Sequence, residues 1–480
     1  MPGEGDSVAL AFEDAVVTYR ELNSRVGRLA ARVRAKPGER IVVVAPNVPG
    51  LVVSLFAAWK LGAVAVPLSA RLRSFELERV FAAVKPIAAI SLAAHGRFDL
   101  AGEMLRLQAN TPTLAQCLII DPLGNVIDET STPGEPVEPL DERVAAVLYT
   151  SGTTGEPKGV LVLHAQLRAQ SQVLPPVVGN YASEPCGLTA PATHSFGLGC
   201  MLCTLAAHGT LLLADVSASA GPLVNALRDI QARVLYGSPT LFSRLLDAVE
   251  DLPLRRGLTG GSLCPQSVFE RWDERGLRLL TLYGMTESGG ACCPRSEDPP
   301  DVRYRTAGRP LEGYEFRVAP HEYGPAELGE IQVRSPYISS RYFSRAWSSN
   351  ETPGDGWFRT GDLGSIDTSG NVSLMGRVKE VILVGGFSVF PAEVELYLVT
   401  HPHIAQAAVV GVPHPVMGEV PHAFVVPDGD VELKPSDVVR FAREGIAGYK
   451  VPYGVRILDE LPTLPSGKLD RRRLRELSVG

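Results

Sequence analysis

Short apolar runs that alternate with helical segments limit the fold of this chain more than any other feature. Towards the N-terminus, predicted strands and helices follow one another closely. The strands are Arg40–Pro46, Ala63–Pro67, Ile87–Leu92 and Cys117–Ile120, and the helices run from Val17 to about Val33 and from Gly50 to Leu61. Apolar strands separated by helices are typical of a parallel sheet covered on both faces. We therefore expect an α/β fold.

The alternation continues through the middle of the chain and then changes. Further strands are predicted at Val144–Tyr149, Gly209–Ala214, Val234–Tyr236 and Leu279–Tyr283. The segment Asp128–Glu142 is rich in Pro, Glu, Asp and Thr, which predicts an exposed connection. Between Gly308 and Met375, short strands such as Phe316–Val318 and Gly329–Val333 predict a β-rich subdomain.

A last boundary is predicted near Gly376–Glu380, followed by a small α+β domain. Its predicted elements are the strands Val381–Val384, Ala407–Val412 and Ala423–Val426 and the helices Pro391–Thr400 and Ser436–Ala447. The sequence thus predicts a large, multi-lobed domain over residues 1–376, with α/β sheets and the β-rich subdomain. A small mobile domain over residues 377–480 is expected to follow it.

Composition limits the class of protein and its partners. The 480 residues carry 46 Lys and Arg against 53 Asp and Glu, a formal net charge of −7. Nucleic acid is disfavoured as a partner because a phosphate-tracking surface needs a basic patch. The N-terminus, Met1–Asp6, lacks the features of a signal peptide. The apolar segment Leu51–Leu61 is too short to span a membrane. We expect a soluble, cytoplasmic protein without a membrane partner.

The seven cysteines are scattered singly, apart from the pairs Cys200/Cys203 and Cys292/Cys293. The first pair has the spacing of a metal or redox motif. It lies in an apolar stretch without a second pair or a His at ligand spacing, so we interpret it as two small core residues. Reduced thiols fit a cytosolic protein.

The strongest local signal is the segment Tyr149–Gly159, directly after a predicted strand. Glycines permit tight turns in which backbone N–H groups converge on an anion, hydroxyls add donors, and a lysine adds a point charge. These residues are Thr150, Ser151, Gly152, Thr153, Thr154, Gly155, Lys158 and Gly159. We predict a phosphate-binding loop, distinct from a Walker loop because Pro157 precedes the lysine. The alternative is a solvated Gly/Ser turn.

Five motifs together resemble the adenylate-forming superfamily of acyl-CoA synthetases, peptide-synthetase adenylation domains and luciferases. They occur in the family's order and are Tyr149–Gly159, Tyr283–Ser288, Trp357–Asp362, Gly376–Gly386 and Leu464–Leu469. The segments Val17–Asn23 and Trp59–Pro67 extend the likeness towards the N-terminus. The resemblance is to the acyl- and aryl-CoA synthetase branch.

The resemblance implies ATP-dependent activation of a carboxylic acid as acyl-AMP, with release of pyrophosphate. Joining two anions requires positive charge and a metal ion. The implied Mg²⁺ contact is Glu287, and Mg²⁺ takes few protein carboxylates. Lys468, presented by the turn Pro465–Gly467, would bridge the attacking carboxylate and the α-phosphate. A lone lysine in a solvated turn is the alternative.

Other nucleotide contacts also come from the resemblance. Thr286 would donate to the α-phosphate, and Tyr283 would stack on adenine. Asp362 would accept hydrogen bonds from the two ribose hydroxyls, and Arg377 would contact ribose or phosphate. The remaining predicted nucleotide contacts are Gly261, Ser262, Gly284 and Met285.

In the family, a second half-reaction passes the acyl group to a thiol after the small domain rotates. Lys379 occupies the implied hinge position, and Gly385, Gly386 and Phe387 would line the thiol tunnel. A plain glycine turn is the alternative for this segment. Ser388, Phe390 and Ala392 depart from the Asn, Tyr and basic residue of many acyl-CoA synthetases. The thiol acceptor is therefore open between CoA, the favoured one, and a carrier protein.

The acid is predicted to lack an α-ammonium group. The resemblance places Thr193–Gly197 where amino-acid-activating members of the family carry an Asp that pairs with the α-ammonium. No Asp or Glu lies between Cys186 and Ala214, and a buried ammonium without a counter-charge would be costly. His194 resembles the residue that gates the acid pocket of aryl- and acyl-CoA ligases; a packed core histidine is the alternative. The predicted pocket residues are His194, Phe196, Tyr236, Gly237, Thr240, Gly260, Gly261, Ser262 and Met285. Mostly small or apolar, they suit an aryl or a short-to-medium acyl acid.

The leading hypothesis is thus an AMP-forming acid–thiol ligase that uses ATP, Mg²⁺ and CoA, as a monomer or homodimer. A second hypothesis keeps adenylation but delivers the acyl group to a carrier protein. A third is a non-catalytic relative, which the presence of Lys468, Glu287, Asp362 and Lys158 disfavours. A fourth uses the adenylate for amide or N–N bond formation in a specialised pathway.

Overall fold

The computed structural model describes residues 4–150, 158–178, 184–214, 220–246, 252–261, 264–320, 328–339, 342–343, 355–385, 387–429, 431, 433–464 and 469–479. The chain divides into two compact units. The first comprises Met1–Pro299, Leu311–Tyr314 and Ser335–Pro353, and the second comprises Pro300–Pro310, Glu315–Arg334 and Gly354–Gly480. The second unit thus joins part of the predicted β-rich subdomain to the C-terminal segment. The predicted boundary between residues 376 and 377 stays a prediction.

The elements are numbered in chain order. As far as residue 213 they are β1 (Val8–Phe12), β2 (Ala15–Thr18), α1 (Tyr19–Arg32), β3 (Arg40–Val44), α2 (Pro49–Lys60), β4 (Val64–Leu68), α3 (Ser74–Val84), β5 (Ala88–Leu92), β6 (Ala94–His95), β7 (Phe98–Asp99), α4 (Leu100–Asn110), β8 (Gln116–Ile120), β9 (Val126–Ser131), β10 (Val144–Thr150), β11 (Lys158–Leu163), α5 (His164–Val178), β12 (Cys186–Leu188), α6 (Ser195–Ala206) and β13 (Leu211–Leu213).

The remaining elements are α7 (Ala220–Asp229), β14 (Val234–Gly237), α8 (Pro239–Leu245), β15 (Arg256–Gly260), α9 (Gln266–Asp273), β16 (Arg278–Met285), β17 (Gly289–Cys293), α10 (Pro300–Arg305), β18 (Arg309–Pro310), β19 (Glu315–Pro320), β20 (Gly329–Arg334), β21 (Tyr342–Phe343), β22 (Phe358–Ile366), β23 (Val372–Arg377), β24 (Ile382–Val384), β25 (Phe387–Val389), α11 (Pro391–Leu398), β26 (Ile404–His414), β27 (Gly418–Pro427), α12 (Pro435–Gly445), β28 (Gly454–Ile457) and α13 (Arg471–Val479). Short 3₁₀ turns occur at Glu4–Asp6, Val378–Glu380 and Gly448–Lys450.

Two mixed sheets organise the first unit. One has the strand order β21-β11-β10-β4-β3-β5-β8-β9, and the other includes the run β17-β16-β15-β14-β12-β13-β1-β2. The central strands of both sheets are parallel, whereas β9, β11, β17 and β2 pair antiparallel with their neighbours. Every residue of β3, β4, β5 and β8 is buried, as expected of parallel strands between helices. The predicted α/β fold is confirmed.

Local sequence explains how the helices begin. The Thr18 hydroxyl accepts a hydrogen bond from the Glu21 N–H, and the Thr18 N–H donates to the Glu21 carboxylate, a capping box that starts α1. Leu22, Val26 and Leu29 then face the core at helical spacing. Pro49 stands in the first turn of α2, where its missing N–H costs no hydrogen bond.

One predicted connection is partly a strand. The segment expected to be an exposed connection, Asp128–Glu142, begins within β9, which pairs antiparallel with β8. β9 forms the edge of its sheet, where no further strand covers its outer side, and four of its six residues are polar. Glu129 on this strand forms an ion pair with Arg32 of α1 at 2.7 Å. Its polar composition therefore resembled that of a loop.

The second unit contains two antiparallel arrangements of strands. The sheet β19-β20-β22-β23 forms one, and β25-β24-β27-β26, with β28 parallel to β27, forms the other. Around the second of these sheets, apolar residues from β24, β25, α11, β26, β27 and α12 form a core that includes Val389, Val394, Leu398 and Val409. This confirms the predicted small α+β domain. Among the described residues, no helix has the length and apolar character that a membrane crossing requires.

Candidate active site

The Tyr283–Ser288 motif lies at the end of β16 and in the turn that leads into β17. Gly284 of β16 stands opposite Gly290 of β17. A Cβ on Gly284 would lie 2.0 Å from the carbonyl oxygen of Gly289, so the hairpin closes only with glycine at this position. Tyr283 itself is 9% exposed, and its stacking on adenine stays a prediction.

Two buried glutamines of α5 hold this hairpin, and neither was predicted. Gln166 donates from Nε2 to the carbonyl oxygen of Thr286 at 2.9 Å. One helical turn later, Gln170 accepts from the Gly290 N–H and donates to the Gly290 carbonyl oxygen, both at 2.8 Å. Their spacing of four residues places them on one face of the helix, which was the available signal. They fix the backbone on both sides of Glu287.

Tyr314 extends this network from a separate segment of the first unit. Its hydroxyl donates to the carbonyl oxygen of Ser288 at 2.7 Å and accepts from Gln170 Nε2 at 3.1 Å. Burial raises the pKa of Tyr314, so the phenol stays protonated and remains a donor. The turn that carries Thr286 and Glu287 is therefore held by neutral groups.

Glu287 is half-buried, and both its backbone and its side chain are held. The Ser339 N–H donates to the Glu287 carbonyl oxygen at 2.8 Å. The Tyr342 hydroxyl donates to Oε1 of the carboxylate, also at 2.8 Å. An oriented carboxylate with unused lone pairs fits Mg²⁺, which is otherwise coordinated by water and phosphate. Within the described residues, no group of three or more His, Cys, Asp or Glu could hold a metal ion.

The predicted phosphate loop connects two antiparallel strands. β10 ends at Thr150 and β11 begins at Lys158, and these two residues pair directly. Lys158 therefore belongs to a strand, and not to the loop as the sequence suggested. Its ammonium lies 5.5 Å from the centre of the Tyr342 ring. The loop residues Ser151, Gly152, Thr153, Thr154 and Gly155 lie outside the described residues, as does the side chain of Thr150.

Several predicted acid-pocket residues lie together at the carboxyl ends of strands in the second sheet of the first unit. β14, β15 and β16 are adjacent parallel strands that end at Gly237, Gly260 and Met285. The carboxyl ends of parallel strands lie at the same sheet edge, where α/β proteins bind ligands. A Cβ on Gly260 would lie 3.3 Å from the ring of Phe196, so this aromatic side chain packs across the end of β15. Gly261 follows it at an exposed position, and Ser262 lies outside the described residues.

His194 precedes the first turn of α6 and is half-buried. The loop before it is held by Asn47, which the sequence analysis missed. Asn47 donates to the carbonyl oxygens of Leu188 and Ala190 and accepts from the Ala192 N–H at 2.9 Å. This buried amide fixes the approach of the chain to His194.

Two predicted pocket residues lie in contrasting places. Tyr236 is fully buried, and its hydroxyl lies 3.4 Å from the hydroxyl of Thr204 and 3.8 Å from the sulfur of Cys186. Thr240 is exposed on α8. All seven cysteines are buried thiols, and burial raises the pKa of Cys293 to about 12, which keeps that thiol neutral. Tyr236 and Thr240 stay predictions as acid contacts.

In the second unit, the structure brings Asp362 and Arg377 together. They stand directly opposite each other on β22 and β23, and the Arg377 Nε lies 3.0 Å from the Asp362 carboxylate. Gly361, with φ of +72°, interrupts the ladder before Asp362. Thr360 stabilises this irregularity, since its hydroxyl donates to the Ile331 carbonyl oxygen and accepts from the Asp362 N–H. The two predicted ribose contacts thus form an ion pair with each other.

Lys468 and the turn Pro465–Gly467 lie outside the described residues, but the flanks of this turn are described. Thr463 pairs antiparallel with Leu469, and the Asp470 N–H donates to the Pro462 carbonyl oxygen at 2.8 Å. The two flanks therefore lie side by side. Helix α13 begins soon afterwards at Arg471.

Arg471 connects the start of α13 to the segment beside the predicted hinge. Its guanidinium contacts Glu395 at 2.9 Å, Glu380 at 3.2 Å and the Val409 carbonyl oxygen at 2.7 Å. Burial disfavours the charge, but Glu395 and Glu380 outweigh it and raise the pKa of Arg471. Lys379 is exposed in the 3₁₀ turn next to Glu380.

The segment predicted to line the thiol tunnel joins β24 to β25. Gly385 has φ of +56°, and its N–H donates to the Met417 carbonyl oxygen at 2.8 Å. Phe387 is 58% exposed and stacks on Tyr449, with ring centres 4.8 Å apart. Gly386 lies outside the described residues. The tunnel itself stays a prediction.

Comparisons with known proteins agree with this arrangement. The family model described as AMP-binding enzyme matches residues 2–343, and that of the AMP-binding enzyme C-terminal domain matches residues 393–468. A feruloyl-CoA synthase from Amycolatopsis sp is 32% identical over 485 residues, covering 98% of this chain and 95% of the relative.

Two solved structures extend the comparison. ATP-bound MatB from Rhodopseudomonas palustris is 25% identical with a TM-score of 0.86, covering 99% of this chain and 97% of that one. The o-succinylbenzoate CoA synthetase (MenE) from Bacillus subtilis, in complex with the acyl-adenylate intermediate OSB-AMP, is 26% identical with a TM-score of 0.82. That match covers 98% of this chain and 95% of the other. The chain belongs to the AMP-binding enzyme family, in its acyl- and aryl-CoA synthetase branch.

Proposed function

We propose that this protein is an ATP-dependent acid–thiol ligase that activates an aryl or short-to-medium acyl acid as acyl-AMP and transfers it to CoA. The observation that carries the proposal is the fixed Thr286–Glu287 turn, beside the strand that begins with Lys158. The relatives named for feruloyl and o-succinylbenzoate substrates support a carboxylic acid with an aryl group.

The mechanism assigns distinct tasks to the residues of the first unit. Bound Mg²⁺ would supply charge neutralisation for the triphosphate. Glu287 holds its carboxylate for that ion because the Tyr342 hydroxyl orients the carboxylate and the Ser339 N–H fixes the Glu287 backbone. Lys158 places a positive charge at the end of the phosphate loop, where it binds and orients phosphate. Thr286 presents its hydroxyl to the α-phosphate from a backbone that Gln166 holds still.

Residues of the second unit bind the rest of the nucleotide and supply the catalytic cation. The Asp362 carboxylate, oriented by Arg377, accepts hydrogen bonds from the ribose hydroxyls. Lys468 contacts both the attacking carboxylate and the α-phosphate, which offsets the repulsion between the two anions. Rotation at Lys379 then exchanges Lys468 for the segment with Gly385, Gly386 and Phe387, which guides the thiol.

The acid is selected at the carboxyl ends of the parallel strands in the second sheet of the first unit. Phe196 packs across Gly260, and His194 stands at the start of α6. The absence of any acidic residue between Cys186 and Ala214 disfavours α-amino acids, as a buried ammonium would lack a counter-charge. A cytoplasmic location, as a monomer or homodimer, completes the proposal.

The test is pyrophosphate release across aryl, fatty and small acids, with and without CoA. We expect release with an aryl or acyl acid and CoA thioester formation by mass spectrometry. The Lys468→Ala variant should lose about 10²-fold or more of adenylation, the scale of removing one charge-stabilising group. Arg472→Ala is the control, because this side chain is 78% exposed near the start of α13.

Three outcomes would contradict the proposal. Unchanged adenylation in Lys468→Ala would contradict the mechanism. Activity restricted to amino acids would contradict the proposed class of acid. Acyl-AMP that reacts with a carrier-protein thiol or an amine, but never with CoA, would replace the acceptor while leaving adenylation in place.

A further inference from the structure

Tyr342 lies where two elements of the predicted phosphate and metal site meet. β21 pairs antiparallel with β11, placing Tyr342 opposite Val160 and Phe343 opposite Gly159. This pairing fixes Tyr342 next to the strand that begins at Lys158. None of the five sequence motifs includes this residue, because it joins the site only through the sheet.

The hydroxyl of Tyr342 forms a hydrogen bond with a charged side chain. It donates to the Glu287 carboxylate at 2.8 Å, and a hydrogen bond to an ionised acceptor is about twice as strong as a neutral one. The bond occupies one of several lone-pair sites on the carboxylate, so the others remain available to a metal ion. The same segment also fixes the Glu287 backbone, through the Ser339 N–H.

The ring of Tyr342 has a second task. The Lys158 ammonium lies 5.5 Å from the ring centre, within the range of a cation–π interaction. The lysine stem is long and flexible, whereas the phenol ring is rigid and is anchored at its hydroxyl. The ring therefore restricts where the ammonium can lie.

We propose that Tyr342 is a positioning residue that couples metal binding to phosphate binding, its hydroxyl orienting Glu287 and its ring orienting Lys158. The inference rests on the proposed function, since it assumes that this site takes a metal–nucleotide complex. A residue that only filled space would contact apolar neighbours, whereas Tyr342 contacts the two charged side chains of opposite sign.

The test separates the hydroxyl from the ring. Tyr342→Phe removes only the hydroxyl, and Tyr342→Leu removes both. Mn²⁺ binding in the presence of a non-hydrolysable ATP analogue is followed by electron paramagnetic resonance, and analogue binding without metal by calorimetry. We expect Tyr342→Phe to weaken Mn²⁺ about 10-fold, as loss of an outer hydrogen bond to a ligand does, with metal-free analogue affinity retained. Tyr342→Leu should lose affinity in both measurements.

Tyr337→Phe is the matched control, because Tyr337 lies in the same part of the first unit and packs against Tyr314. It should bind Mn²⁺ and analogue as the parent does. Mn²⁺ affinity within about twofold of the parent in Tyr342→Phe would overturn the proposal.

A double-mutant cycle with Glu287→Gln distinguishes positioning from a folding defect. If Tyr342 acts through Glu287, adding Tyr342→Phe to Glu287→Gln has little further effect on Mn²⁺. Equal losses in both backgrounds would overturn the proposal, even if the variant is partly destabilised. A parent that binds Mn²⁺ and analogue but adenylates no acid would contradict the proposed function alone.

Discussion

Two segments expected to carry chemistry are held by different kinds of interaction. In the first unit, the β16–β17 hairpin with Glu287 is held by neutral donors and acceptors from Gln166, Gln170 and Tyr314. In the second unit, the start of α13, close to Lys468, is held by Arg471 between Glu380 and Glu395. One region relies on amides and a phenol, and the other on partly buried charge.

The difference indicates what each segment can tolerate. Neutral hydrogen bonds contribute about 1 kcal/mol each, so loss of one weakens a network without destroying it. A partly buried ion cluster tolerates less, since removal of one charge leaves its partners uncompensated. The ionic link fixes Glu380, next to Lys379, to the helix that follows Lys468, as the proposed rotation would require.

The largest expected effect is that of Arg471→Met. The change leaves Glu380 and Glu395 without their cation. We expect a loss of about 2–4 kcal/mol in the stability of the second unit, below that of a fully buried pair because these side chains are 12% to 24% exposed. Hydrogen exchange followed by mass spectrometry on peptides from α11 and β26 measures this locally. Arg473→Met is the control, since Arg473 is 58% exposed and pairs with Glu476 on the surface, which is worth about 0–1 kcal/mol. Equal losses in the two variants would end the distinction between the regions.

The next effect is that of Gln170→Leu, an apolar replacement of similar size. It leaves the Gly290 N–H and carbonyl oxygen without this partner, and we expect about 1–3 kcal/mol of destabilisation in urea unfolding. Adenylation should fall as well, because the hairpin carries Glu287. Gln172→Leu on the exposed face of the same helix is the control. A variant as stable and active as the parent would show that the glutamine network is dispensable.

The smallest expected effect is a difference between the two regions in how their stability depends on pH. Burial, together with Arg456, lowers the pKa of His422 on β27 below its ordinary value near 6.5. The unfolded state therefore binds more protons, and the stability that His422 contributes is lost as pH falls through about 6.5 and below. We expect less than about 1 kcal/mol, after screening by solvent.

The hairpin network contains no group that titrates in this window, since Gln does not ionise and burial raises the pKa of Tyr314. Hydrogen exchange corrected for intrinsic rates, at pH 7.5 and 5.5, should thus show loosening of β27 and little change in β16–β17. His422→Gln should reduce the change in β27. Equal pH sensitivity in both regions would contradict the comparison.

Much of the fold and the outline of the site could be predicted from the sequence. Apolar runs such as Arg40–Pro46 identified the strands, because a parallel strand that is buried on both faces has an almost continuously apolar sequence. Failures came where polarity and structure diverge: β9 is polar because it is an edge strand, and Lys158 opens a strand although its neighbours are typical of a loop.

The sequence by itself determined the motifs, because their chemistry is local: Gly284 and Gly361 are required by the backbone within a few residues of each. Only the tertiary structure decided which residues hold those motifs in place. Gln166, Asn47, Tyr342 and Arg471 act on segments far away in the chain, through hydrogen bonds that exist only after sheets and helices have packed. Composition and spacing do not predict such contacts, since in the unfolded chain the same polar groups form hydrogen bonds with water.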